Sequence, residues 1–108
     1  MYPDPWITGP IVDLEIQTVD PKEKIRTWRI LISKPCEYQE LYYCHAKLKG
    51  LNHSLQPQHG DNGIEALCKA ISLIKTELKQ YIKQHKMILK YKNEIIKFEE
   101  FEKFFEIK

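Results

Sequence analysis

From Ile11 the chain alternates with a period of two: Val12, Leu14 and Ile16 fall on one side, Asp13, Glu15 and Gln17 on the other. Such a pattern predicts a strand with one buried face. Asp20-Pro21 interrupts it, and the polar Lys22-Glu23-Lys24 completes a turn. Alternation resumes from about Ile25 to Ser33, with Trp28, Ile30 and Ile32 opposite Thr27, Arg29 and Leu31, until Pro35 removes a backbone donor. A third stretch, about Glu40 to Leu48, sets Tyr42, Cys44, Ala46 and Leu48 against Leu41, Tyr43, His45 and Lys47. Short connections between the strands predict a three-stranded antiparallel meander over 11–48, in which Glu15 can meet Arg29 across strands. Residues 1–10, with three prolines and a glycine, form an irregular lead-in.

Residues 49–60 are polar and predict a loop. The period then changes. Ile64, Leu67, Ile71, Ile74, Leu78, Tyr81 and His85 recur at steps of three and four, widened by Cys68 and Ile82. These positions predict one long amphipathic helix over 62–86. Asn62 is its N-cap and Glu65, three residues on, completes a capping box; Asp61 adds negative charge at the positive end of the helix dipole. A helix of this length spans roughly 36 Å, against roughly 27 Å for an eight-residue strand. Its last turns must therefore overhang the sheet or be covered by the C-terminal segment. The expected fold class is α+β, with the helix closing over the sheet face that holds Leu14, Trp28 and Cys44.

Residues 87–108 allow two readings. Met87–Tyr91 and Ile95–Phe98 flank Lys92-Asn93-Glu94 as a hairpin would, with Phe98, Phe101, Phe104 and Phe105 coming next at helical spacing. The alternative is a second helix throughout. The hairpin and then a short helix is the preferred reading.

Length and composition narrow the picture. A chain of 108 residues holds one domain, and an apolar fraction of 43% suffices for a core. The sequence starts with neither a basic nor an apolar leader segment, and no apolar run approaches the ~20 residues that cross a bilayer. Three cysteines, Cys36, Cys44 and Cys68, add to the expectation of a reducing cytosol. A net charge of +2 gives no strong push towards nucleic acid or a membrane.

Candidate chemistry is sparse. Cys44, His45, His53 and His59, with Cys68, include zinc-capable ligand types, but Cys44 and His45 are adjacent on a strand and point to opposite faces. No metal site is expected. A catalytic cysteine needs a base beside it, and Cys68 lies on the edge of the apolar stripe, where packing is the simpler account. The glycines, Gly9, Gly50, Gly60 and Gly63, lack the spacing of a phosphate loop. No cofactor is expected, and no catalytic residue is assigned.

Charge is polarised. Residues 69–92 carry seven lysines against Glu77 alone, whereas residues 1–20 carry four acids and no base. Lys75, Lys79, Lys83 and Lys86 mark the wet side of the helix. They lack the interleaved aromatics and arginines that favour nucleic acid, so an acidic protein is the preferred partner and a homodimer the next. Phe101, Phe104 and Phe105 exceed the needs of so small a core, and join these lysines as the candidate interaction surface.

Cys44 on the last strand, Gly50 closing it, and Gly60-Asp61-Asn62-Gly63-Ile64-Glu65-Ala66-Leu67 opening the helix resemble a small bacterial family of unknown function. Its members join a β-meander to a helix that begins in a Gly-x-Asp-x-x-Gln-Ala-Leu-like segment; this chain has Glu65 where they favour Gln. The resemblance implies a fold and no activity. A second analogy, of architecture alone, is to bacterial toxin-immunity proteins. The expectation is thus a non-enzymatic bacterial cytosolic protein that binds another protein. The alternatives are a ligand binder or small enzyme using His45, His53, His59 or Cys36, and nucleic-acid binding through the helix lysines.

Overall fold

The computed structural model describes residues 6, 9–50, 54–92 and 94–103. Eight strands and two helices occur among them, in the order β1 (Pro10–Val19), β2 (Ile25–Ser33), β3 (Cys36–Tyr38), β4 (Leu41–Cys44), β5 (Ala46–Lys49), β6 (Gln58–Gly60), α1 (Gly63–Gln84), β7 (Ile88–Tyr91), β8 (Glu94–Ile96) and α2 (Phe98–Glu102). All strand pairings are antiparallel. They build a five-stranded sheet of order β5-β2-β1-β7-β8 and a three-stranded sheet of order β3-β4-β6.

The expected single meander is therefore divided. Its third strand breaks at His45, where Ser33 N donates to His45 O at 2.8 Å and His45 N donates to Ser33 Oγ at 2.9 Å. The Ser33 hydroxyl takes the place of the carbonyl that a continuing ladder would offer. Leu41–Cys44 then pairs with Cys36–Tyr38 and, on its other side, with Gln58–Gly60 from the segment expected as a loop. Side-chain parity survives the break, since Cys44, Ala46 and Leu48 are all buried and Tyr42 packs against the core.

α1 lies over the seam between the sheets, packed chiefly on β6, β4 and β5. Asn62 caps it as expected, its Oδ1 accepting from Glu65 N at 2.8 Å, while the Glu65 carboxylate reaches Lys69 Nζ at 3.1 Å. The buried line along α1 is Ala66, Ala70, Ile74 and Leu78, not one that starts at Ile64, which is 75% exposed. Small side chains let the helix approach closely: a Cβ on Gly60 would come within 2.8 Å of Glu65 Cβ. With Trp28, Cys44, Ile16, Ile30, Ile32, Leu89 and Phe101, these residues form one core, with Leu14 packed against it.

The C-terminal segment takes the hairpin-then-helix form. β7 pairs with β1 and β8 with β7, and α2 turns Phe101 into the core at 0% exposure. Phe101 is thus removed from the candidate interaction surface, because it packs within the core. Phe104 and Phe105 lie outside the described residues. No described helix is long and apolar enough to cross a membrane.

Candidate functional site

The β1–β2 turn, the end of α1 and the side chain of Arg26 meet at one end of the five-stranded sheet. The turn is held by Asp20, whose Oδ1 accepts the amides of Lys22 and Lys24 at 2.9 and 2.8 Å. Glu23, at φ 65°, closes the three-residue loop Pro21–Glu23. α1 ends with His85 N donating to Tyr81 O at 3.1 Å and Met87 N to Ile82 O at 3.0 Å, around Lys86 at φ 51°. This is a Schellman-type closure with lysine where glycine is usual.

Arg26 shares the inward register of Trp28, Ile30 and Ile32, and lies half-buried. Its guanidinium carbon sits 4.7 Å from the Trp28 ring centroid and 5.3 Å from that of Tyr81. Its Nη1 donates to the Tyr81 hydroxyl and its Nη2 to the Gly50 carbonyl. Trp28 and Tyr81 meet edge to face at 4.6 Å, and Tyr81 carries the His85 ring 4.2 Å away. A half-buried cation packed against two aromatic rings and bonded to Tyr81 and Gly50 is held in place.

Together these groups line a groove of about 510 Å³ formed by Asp20, Pro21, Lys22, Lys24, Ile25, Arg26, Tyr81, His85 and Met87. Lys22, Lys24 and Arg26 supply positive charge, and Asp20, the one carboxylate among the lining residues, is engaged by the turn. The groove suits an anionic group with some apolar surface. Periodicity alone assigns Tyr81 to the apolar stripe and gives Arg26 no role. The available signal was a charged residue at an inward-facing position of a strand.

The sequence-derived candidates are dispersed. Lys79, Lys83 and Lys86 are exposed and Lys75 is half-buried; the row runs along α1 towards the groove, where Lys86 adjoins His85. Cys44 is fully buried, its thiol donates to Ser33 O at 3.3 Å, and burial pushes its pKa up to about 11, as for a small apolar residue. His59 is exposed and lies 6.0 Å from the Tyr43 ring, in a cluster with Tyr38. His53 lies outside the described residues. His45 lines a second cavity of about 250 Å³ with Trp6, Leu48 and Leu55, and burial lowers its pKa. Among the described residues no group of three or more His, Cys, Asp and Glu side chains is placed to hold a metal. The Glu15–Arg29 pairing is in register, but the Arg29 guanidinium bonds Asp13 instead, at 2.7 Å through Nε and 2.5 Å through Nη2.

Compared with protein-family models, with curated proteins and with solved structures, the chain matches none of them.

Proposed function

We propose that this is a non-enzymatic bacterial cytosolic protein that acts by binding an acidic segment of another protein, seated in the Arg26–Tyr81 groove and drawn in by the α1 lysines. The observation that carries this reading is the groove's lining, in which three cations, Lys22, Lys24 and Arg26, stand against one carboxylate, Asp20. Neutralising a toxin, as immunity proteins do, is one concrete form of such binding. Polarised charge steers encounter and sets the salt dependence of association.

Calorimetric titration with a synthetic peptide of alternating glutamate and serine tests the reading. Binding that weakens as salt is raised, with none to the lysine–serine counterpart, supports it. Equal affinity for the two peptides, or binding of neither, contradicts it. A second reading, a small ligand beside His45, draws on the cavity lined by Trp6, Leu48 and Leu55; it calls for protection of Trp6 fluorescence from quenching when a ligand enters.

A further inference from the structure

Among the described residues five large hydrophobic side chains are exposed: Ile11, Ile25, Ile64, Ile88 and Ile95. Three of them, Ile25, Ile88 and Ile95, share one face of the five-stranded sheet. Ile16 and Thr18 of β1 point inward and are buried, so the odd-numbered residues of that strand face outward. Register carries the same parity to Ile25, opposite Val19 on β2, and to Ile88, opposite Val19 on β7. Ile95 lies opposite Lys90 and faces the same way. α1 packs on the inward face, so these residues stand on the side of the sheet turned away from it.

Ile25, Val19 and Ile88 therefore stand abreast across three strands, a row about 10 Å wide. Ile25 is 56% exposed and Ile88 48%. Single exposed isoleucines are ordinary, whereas these two flank the half-buried Val19 beside a concave charged site. Ile25 also lines the cationic groove, and so does Met87, the neighbour of Ile88. The aliphatic row and the cationic lining are thus one continuous surface that turns over the sheet end.

We infer that the segment this surface takes is acidic and aliphatic together, with carboxylates towards Lys22, Lys24 and Arg26 and an aliphatic side chain seated on Ile25–Val19–Ile88. The inference rests on the reading of the groove as a site for an acidic protein segment. Charge complementarity selects that occupant over a second copy of this chain. A two-fold contact through the row with its axis along the strands brings Lys22, Lys24 and Arg26 of each copy towards the same cations of the other, which is repulsive, and with its axis along the row it leaves those cations without a counter-charge from the partner's groove.

The test compares two synthetic peptides, alternating glutamate–leucine and alternating glutamate–serine, on the full chain and three variants. The glutamate–leucine peptide binds the wild type about tenfold more tightly, the worth of burying one aliphatic side chain. Ile25→Thr/Ile88→Thr abolishes that preference and leaves the salt dependence unchanged. Lys22→Gln/Lys24→Gln weakens both peptides and flattens the salt dependence. Ile11→Thr, exposed at the far end of β1, leaves both affinities unchanged. Thermal unfolding verifies the double isoleucine variant; if it does not fold, Ile25→Thr alone must narrow the preference. A preference that survives these isoleucine changes overturns the inference while the acidic-segment reading stands; failure of both peptides to bind overturns the reading and the inference together. Binding to phosphatidylglycerol vesicles in preference to the peptide, or a dimer in sedimentation that Ile88→Thr dissolves, also overturns it.

Discussion

Trp28 Nε1 donates to Thr18 Oγ1 at 2.8 Å, and both residues are fully buried between the five-stranded sheet and α1. The bond joins β2 to β1 through side chains as well as through the ladder. It lets a large indole enter the core without an unsatisfied donor. Thr18→Val keeps the shape and removes the acceptor, so it should cost about 1–3 kcal/mol. Urea unfolding monitored by circular dichroism measures this; a change within error means that the indole N–H finds another partner.

Gly50 supports the same indole from the other side. A Cβ there would lie 2.5 Å from Trp28 Cε3, and the φ of +128° suits glycine alone. Gly50→Ala should destabilise the protein by about 2–3 kcal/mol through overpacking and backbone strain. Because the Gly50 carbonyl also accepts from Arg26, the groove should lose affinity for an acidic peptide beyond what reduced stability explains. Denaturant midpoints, with peptide titration below the transition, separate the two effects.

Lys86 closes α1 in the left-handed region at φ 51°. Lys86→Gly removes that strain and should raise stability by ~1 kcal/mol. It also removes one positive charge next to the groove. Thermal melting should therefore rise while acidic-peptide binding falls, a pair of opposite changes that a purely structural residue would not give.

His45 sits where the chain leaves one sheet for the other, and burial holds its pKa below the ordinary 6.5, with Lys47 adding to the shift. A base whose folded pKa is lowered favours folding in its neutral form. Its contribution is complete above the unfolded value and is lost as pH falls below it. Stability should thus decline as pH falls below the ordinary value of 6.5, and His45→Gln should flatten that decline. The Asp13–Arg29 pair, which lowers the Asp13 pKa, adds a separate loss at still lower pH. Denaturant midpoints across this range check the assignment.

Much of the fold was legible because period and capping report local geometry. Strands near 11–19 and 25–33, the Asn62 cap, the long helix and the C-terminal hairpin all arise from nearest-neighbour patterns. The division of the sheet does not. Alternation records which way Tyr42, Cys44, Ala46 and Leu48 point, and it continues unchanged when the strand exchanges one sheet for another at His45. The apolar stripe misplaces the helix phase at Ile64 because Ala66 and Ala70, which let α1 come close, carry little hydrophobic signal. The groove was the least legible part, since Arg26, Tyr81 and Asp20 lie far apart in sequence and converge only after β2 and α1 dock. Of the expected surface, the α1 lysines remain exposed in their outer part, whereas Phe101 is drawn into the core.

A nuclear magnetic resonance titration of the isotope-labelled protein with the glutamate–leucine peptide maps the binding face residue by residue. Amide shifts concentrated at Lys22–Arg26, Tyr81–Met87 and Ile88 are the result expected if the Arg26 groove is the binding face. Shifts centred instead on the Trp6–Leu55 cavity, or on the three-stranded sheet around Tyr43 and His59, would contradict it.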